Sequence, residues 1–519
     1  MAITVGIDLG TTNSACAIYK DRQLQYIKFD HLEILPSCLY DDGKSLLIGK
    51  RAKARGLIHP EYYIASAKRK MGESNYYFKA GNKEYSPEDV ATEVLKRIYN
   101  EIKEQTGESD ISAIVTIPAN FRDYALNATK RAGRRAGFKN VRTLKEPISS
   151  AIANGIGDNE TNGKYIVIDL GGGTLDLSVV SVNKYKFRVL YTGGNPDLGG
   201  DDFTDVIIKI IEDEILNNEQ YGYLDVSYDN IDASPVLQNI FKSNEEYLKL
   251  KSKIADHAEK AKIALSYEQT TYIDIPKLYN RNGNDISFSM ELSRQRFEQK
   301  AQRLFNHFQD SIEDALKAIQ RTENLTIDDI DKVIFAGGSM NLPKVKEIVY
   351  NFLKKEPLDK DLDKIVAAGA AIFAYSKFED EGDFDKTGTK EKLEVSDMLY
   401  YNLGILVNSG ELSPIIEKGS MHPPAIEKTR AYYTPTDYCT SLHIAIYEGN
   451  VLSNAKDPAN KLLYEFNING LASKPAGKVR VDVTFRLDEE GILHVRAEDV
   501  DGIAKPYDSD VNWNELKKQ

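Results

Sequence analysis

The sequence predicts an α/β body followed by a separate all-β domain. Three observations carry the prediction. From the N-terminus to about Tyr375, short apolar strand patterns alternate with helical periodicity, the signature of an α/β architecture. Past Val395 the helical patterns nearly vanish and period-2 alternation takes over. A unit of strand, Asp, Leu and glycine turn occurs twice, as "IDLGTTNSA" and "IDLGGGTLD", about 160 residues apart. Two copies of one supersecondary unit imply two similar lobes facing each other.

In chain order, "MAITVGIDLG" is a strand pattern that runs straight into the first glycine turn, and "AIVTIPANF" is a short apolar strand. "DYALNATKRAGRRAGF" reads as a helix with Leu126, Ala128, Ala132 and Ala136 as packing residues. "YIVIDL" is a buried strand with "LDLSVVSV" as its hairpin partner. In "YLKLKSKIADHAEKAKIALSYEQ", Ile254, Ala258, Ala261 and Leu265 recur on one face of a long helix. "KVIFAGGSMNLPKVKEIVYNFL" is strand, glycine turn, helix. "FEDEGDFDKTGTKEKLEV", from Phe378 to Val395, is charged and poor in apolar residues, as linkers are. In the β region, "TSLHIAIYEG" puts Leu442, Ile444 and Ile446 on one face. "KVRVDVTFRL" does the same with Val479, Val481, Val483 and Phe485, and "DEEG" turns it back into "ILHVRAED" as a hairpin. "DSDVNWNELKKQ" can start a helix. The expected division is an α/β body over 1–377, a linker over 378–397, a β domain over 398–510 and a short tail over 511–519.

At 519 residues the chain exceeds one ordinary core, so two to four domains are expected. Its 41% hydrophobic and 28% charged residues are those of a soluble globular protein. The net charge of −12 argues against a nucleic-acid partner, yet leaves room for a small anion held by local N–H groups and a lysine. Cys16, Cys38 and Cys439 are widely spaced and form no CxxC pair, so a reducing, cytoplasmic setting is the default expectation. No signal-peptide pattern precedes the first strand. The most apolar stretch, "IVAAGAAIFAY", is shorter than the ~20 residues a membrane span needs.

A glycine turn after a buried strand lets backbone N–H groups point outward as a nest for phosphate. Thr11, Thr12 and Thr174 add hydroxyls. Asp8, Asp169 and Asp176 conflict with phosphate unless they face a hydrated Mg²⁺ that also touches it, since Mg²⁺ keeps several waters and prefers one or two carboxylates with phosphate oxygens. Val167 to Ser178 then forms one jaw of a metal–phosphate clamp and Gly6 to Ala15 the other, with a third turn at Gly337 and Gly338. A single such turn is more often a plain hairpin; the repetition favours function. No GxGxxG opens a helix, and the nearest P-loop match, "GDNETNGKY", has Tyr165 where Ser or Thr is required.

These residues resemble a known family. "GIDLGTTNSA", "VIDLGGGTLDLS", "LKEPISSAIANGI", "DLGGDDF" and "FAGGSMNLP" are similar to the ATPase domain of the seventy-kilodalton heat-shock chaperones, in the actin-like superfamily. "LHIAIYEGN" and "FRLDEEGILHVRAED" resemble that family's peptide-binding sandwich, and the likeness runs in order from about Ile3 to about Asp499. It implies a two-lobed actin-like ATPase domain of duplicated ribonuclease-H-like units, then a β sandwich.

By position, the resemblance implies that Asp8 and Asp169, with Asp176, hold Mg²⁺ largely through water. Gly10, Thr11, Thr12 and Asn13 meet the β- and γ-phosphates, and Gly171, Gly172 and Gly173 cradle the chain. Lys68 matches the catalytic lysine, although "AKRKMG" alone reads as a solvated basic run; Glu146 and Thr174 match residues that position metal and water. Glu259, Lys262 and Ser266 match one side of the adenosine site and Gly338, Ser339 and Asp363 the other, with Gly199, Gly200 and Gly337 also among the nucleotide-binding positions, although Glu259 and Lys262 also suit an ordinary surface pair. Pro118 matches the family's switch proline. Leu442 and Ile444 match the peptide pocket, and on alternation alone they are equally sandwich core. The implied cofactors are ATP or ADP with Mg²⁺, with K⁺ compatible. The implied partners are extended apolar segments of unfolded proteins, a J-domain co-chaperone and a nucleotide exchange factor, acting on a monomer, with no nucleic acid and no membrane.

The chain departs from the family pattern at several points. Ile263 stands where an Arg stacks on adenine, Asp197 where the family has His, and Leu126 where it has a relay Arg. The linker "LEVSD" carries Glu394 and Ser396 among its apolar residues, and the helical lid that normally follows the sandwich is not expected in the residues that remain. The leading expectation is a lidless ATP-dependent chaperone with slow hydrolysis. The alternatives are a nucleotide-bound scaffold or co-chaperone that does not hydrolyse, and a sugar kinase on the same lobes, which gives no reason for the β domain.

Overall fold

The computed structural model describes residues 3–73, 75–121, 123–155, 162–218, 244–281, 284–378, 393–399, 401–422, 425–488 and 493–510. The chain divides into two compact units. The first comprises 1–121, 128–185 and 191–393; the second comprises 122–127, 186–190 and 394–519.

The first unit is built on two sheets with one plan. In the first sheet, β1 (Ile3–Leu9) lies between β2 (Asn13–Lys20), its antiparallel hairpin partner, and β3 (Ile111–Ile117), parallel to it. The strand β4 (Val141–Lys145) continues the parallel side beyond β3. Between β3 and β4 runs α1 (Asp123–Ala136), and α2 (Glu146–Ala153) follows β4 directly. The second sheet repeats this order. Its central strand β5 (Asn162–Leu170) has the antiparallel partner β6 (Leu175–Asn183) on one side. On the other side lie the parallel strands β7 (Lys332–Ala336) and β8 (Pro357–Leu358). The duplication heard in "IDLG" is therefore a duplication of topology. β3 is buried along its whole length, as parallel central strands covered on both faces must be.

Between β6 and β7 the chain forms α3 (Gly200–Asn217), α4 (Asn244–Tyr267) and a long hairpin of Thr270–Arg281 with Asn284–Ser293. Ile254, Ala258, Ala261 and Leu265 are buried on α4, as their spacing predicts. The apolar stretch at Ile365 is α5 (Ile365–Phe378), a core helix packed on β1, β2 and α2. Among the described residues no helix is long and apolar enough to cross a membrane.

The second unit contains two four-stranded sheets whose side chains share one core. Leu403, Ile444, Ile446 and Phe466 from one sheet pack with Val481, Val483, Phe485 and Val495 from the other. The hairpin of Arg480–Leu487 and Leu493–Asp499 forms in the expected register, its "DEEG" turn lying largely outside the described residues.

One expectation holds with an addition, and two need correction. "TSLHIAIYEG" (strand Ser441–Gly449) puts Leu442, Ile444 and Ile446 on one face as expected, and its other face is buried as well. Ile444 and Ile446 enter the main core, while Ala445 and Tyr447 pack with Leu412 and Ala455 in a second cluster. Asp508 does not begin a helix: Tyr507–Asp510 pairs as an edge strand with Leu493–Asp499, and the predicted tail 511–519 lies outside the described residues. Of the predicted linker, 379–392 lies outside the described residues, and Glu394–Met398 is a strand that pairs with Met421–His422.

Candidate functional site

Both "IDLG" strands end at one cleft. Asp8, Gly10, Thr11, Thr12 and Asn13 line it from the first hairpin. Asp169, Gly171, Gly172, Gly173, Thr174 and Asp176 line it from the second. Lys68, Pro118, Glu146, Gly337, Gly338 and Asp363 complete the wall, around about 670 Å³ of empty space partly open to solvent. The hairpin register explains the carboxylates: Asp169 and Asp176 are directly paired across β5 and β6, one on each side of the glycine turn.

The turns admit no side chain. A Cβ on Gly172 would sit 1.9 Å from the Thr12 hydroxyl, so the two jaws meet at glycine. Gly337 has φ +83°, and a Cβ there would lie 2.5 Å from Asp169 Oδ1.

Lys68, at the short 3₁₀ turn Ala67–Lys70, buries all but 9% of its side chain and donates to Glu146 Oε1 at 2.7 Å. Burial opposes its charge, but Glu146, Asp8 and Asp169 outweigh burial, and its pKa is raised. The carboxylates outnumber this one ammonium. Burial, reinforced by Glu146, pushes the Asp8 carboxyl up to about 7, while Lys68 and the Thr116 hydroxyl pull it down. Asp176 is likewise pushed up to about 7 by burial and Glu146. Asp169 is held well above the usual carboxylate range by burial, then by Glu146, Asp176 and Asp8. Burial also raises Asp363.

A cation is what this donor set calls for. Its oxygens are hard, its charge is negative in excess, and its carboxylates are protonated near neutrality without one. Among the described residues no group of three or more His, Cys, Asp or Glu is placed to hold a bare metal ion. The carboxylates present fit a hydrated divalent cation such as Mg²⁺, which needs only one or two carboxylates and keeps its waters. The buried Thr12 Oγ1 has no hydrogen-bond partner, an orphan hydroxyl on the cleft wall that a ligand oxygen would satisfy.

Several candidates brace the cleft without lining it. The Gly200 and Asp201 amides donate to the Gly171 and Gly172 carbonyls at 2.9 and 2.7 Å. The Gly199 amide donates to Asp202 at 2.7 Å. These amides at the start of α3 thus hold the glycine loop in shape. Ser339 Oγ donates to the Gly171 carbonyl at 3.1 Å, and Lys262 Nζ to the Gly200 carbonyl at 2.7 Å. Ser266 donates to the Lys262 carbonyl within its own helix at 3.3 Å. Glu259 is ion-paired with Lys53 and lines an adjoining cavity. Thr174, which does line the cleft, donates its Oγ1 hydroxyl to Asp176 at 3.0 Å. In the second unit Leu442 is half-buried, while Ile444 is fully enclosed in the core.

Four positions were missed from sequence. Thr116 donates to Asp8 at 3.1 Å and Asn120 to Asp176 at 3.4 Å. Arg69 reaches Asp201 at 3.4 Å beside Gly173, and Lys53 meets Glu259. Thr116 carried a signal, a hydroxyl near the end of an otherwise mostly apolar strand; Arg69 and Lys53 meet partners far away in sequence and carried none.

Two similar sheets, each a β-hairpin with parallel strands on one side, enclosing a carboxylate-rich cleft at their glycine turns, define a duplicated two-lobed α/β class. A family profile described as "Hsp70 protein" matches residues 4–80 and 74–510. Two relatives named chaperone protein DnaK, from two strains of Halobacterium salinarum, are each 32% identical over 497 residues, covering 95% of this chain and 73% of theirs. The chain belongs to the Hsp70 family.

Proposed function

We propose that the chain is an ATP-dependent molecular chaperone that hydrolyses ATP slowly in the cleft and binds short extended apolar segments of unfolded proteins with its β-sandwich unit. The observation that supports this most directly is Lys68, buried and oriented by Glu146 at 2.7 Å among Asp8, Asp169 and Asp176, where two glycine turns meet.

In this reading the turn amides and the Thr12 hydroxyl bind the phosphates. Asp8, Asp169 and Asp176 would hold a hydrated Mg²⁺, which would supply positive charge to neutralise the phosphates. Lys68 offers a compact positive charge where negative charge develops on the γ-phosphoryl group, and Glu146 fixes its position. Water bonds to the γ-phosphorus as the bond to the bridging oxygen breaks, giving ADP, phosphate and a proton. The half-buried Leu442 is the better of the two candidates for contact with peptide, since Ile444 is enclosed. The family's J-domain co-chaperones and nucleotide exchange factors are the natural partner classes, and a reducing cytoplasm the natural setting.

Phosphate release in magnesium buffer tests the reading. The wild-type chain is expected to turn over slowly and faster with an extended apolar peptide. Lys68→Ala should lose at least about 100-fold in turnover while still binding ADP. Unchanged turnover in that variant refutes the lysine's role. A wild-type chain that binds ADP but releases no phosphate would make it a non-hydrolysing scaffold.

A further inference from the structure

The glycine turns of the cleft come from distant parts of the chain, and one ion pair joins the braces of two of them. The first turn is braced by the strand Ile34–Pro36, which pairs with β2 so that Asn13 faces Pro36, and the Ser37 amide donates to the Thr12 carbonyl at 2.8 Å. Glu33 leads into this strand. The third turn is braced by residues 361–364. There the Leu362 carbonyl accepts the Gly337 amide at 3.1 Å, and a Cβ on Gly338 would lie 2.4 Å from Asp363 Oδ1. Lys364 Nζ donates to Glu33 Oε2 at 2.6 Å and lies 4.5 Å from the centre of the Tyr26 ring. Lys364 also stands where the chain changes sheets: β7 and β8 before it belong to the second sheet, whereas α5 after it packs on β1 and β2 of the first. Asp361 turns this crossing with φ +53°, a left-handed conformation uncommon outside glycine. The Lys364 carbonyl accepts the Ala368 amide at 3.0 Å and so opens α5, a position where the helix dipole opposes a cation. The contact with Glu33 offsets that opposition, and the hydrogen bond to it raises the Lys364 pKa.

We propose that Lys364 is a positioning residue: by pairing with Glu33 and Tyr26 it locks the crossing between the two sheets, keeps the third glycine turn facing the first, and slows the release of a bound nucleotide. The proposal rests on the nucleotide reading above. Opposed turns grip a ligand only while they face one another, and here the brace of each turn carries one partner of the pair. Neither Lys364 nor Glu33 lines the cleft, so the lysine acts through its neighbours Leu362 and Asp363, which do. With the pair broken, residues 361–364 lose their tie to the first sheet and the third turn is free to draw back. The effect falls on release more than on capture, as most affinity changes within one binding site do.

The test is stopped-flow release of Mg·ADP carrying a fluorescent label on its ribose, chased with unlabelled ADP. Lys364→Gln and Glu33→Gln should each release the nucleotide about three- to tenfold faster at an unchanged on-rate. The double variant should release it no faster than Lys364→Gln, because the same contact is lost once. Lys364→Arg keeps the charge and the ring contact and should stay within about twofold of the wild type. Both side chains reach solvent, so the variants should keep the wild-type circular dichroism. The two glutamine variants change the net charge in opposite directions. A bare charge effect on the anionic ligand would therefore hasten release in Lys364→Gln and slow it in Glu33→Gln, and that opposed result overturns the lock. Unchanged release in both variants overturns it as well, as does an additive double variant. A wild-type chain that takes up no labelled or unlabelled ADP overturns the nucleotide reading and the lock with it.

Discussion

Asp8 and Asp176 keep protons in the folded chain up to about pH 7, because they are buried beside Glu146 with only Lys68 to offset them. In the unfolded chain the same carboxyls release their protons near 3.8. The folded state thus binds more protons between those two values. The stability these groups contribute is full below about pH 4 and is lost as pH rises through about 7. A cation at the cleft favours the carboxylates and reverses the trend. Mg·ADP binding at about pH 6.5 should therefore release protons, seen as a binding enthalpy that varies with the buffer's ionisation enthalpy. Proton uptake, or no buffer dependence, would contradict this account of the cleft. Asp8, Asp169 and the glycines were legible in the sequence because a glycine turn flanked by carboxylates is a local pattern. Lys68 was not legible from its surroundings, since "AKRKMG" is an ordinary basic run until folding brings Glu146 to it across 78 residues. Only the family resemblance singled it out.

At the scale of elements, α5 shows how closely the first unit is packed. A Cβ on Gly369 would lie 1.8 Å from the Ser149 carbonyl oxygen of α2, and one on Gly6 of β1 would lie 2.0 Å from the Ala371 amide. Backbone meets backbone at both contacts, so neither neighbour can rotate away. Gly369→Ala should destabilise the chain by about 1–3 kcal/mol, read as a lower urea midpoint with an unchanged slope; a wild-type midpoint would refute the close approach. Strands and helices with strong periodicity were legible: β1, β5, the α4 stripe and the Arg480–Asp499 hairpin follow their patterns. The second buried face of Ser441–Gly449 was not, because Ala445 and Tyr447 are ambiguous residues whose burial depends on Leu412 and Ala455 arriving from elsewhere. The Tyr507–Asp510 strand was missed because a short polar edge strand has no alternation to betray it, and its pairing with Leu493–Asp499 alone defines it.

At the scale of the whole molecule, the candidate cleft and the sandwich core fall in different compact units. Every residue that lines the cleft belongs to the first unit, and the sandwich core belongs to the second. The duplicated sheets of the first unit were legible as a repeated motif, whereas their shared strand order emerges only from the pairing of distant strands. Leu126 stands where the family has a relay arginine, and the peptide-stimulated turnover described above tests whether the two units are coupled. The central claim lies upstream of coupling: two glycine turns clasp a nucleotide's phosphates through a hydrated cation. Titrating ADP into the folded chain, with magnesium and then with EDTA, tests it most directly. The account predicts saturable binding with magnesium that is largely lost in EDTA; a well-folded chain giving no binding heat in magnesium would contradict it.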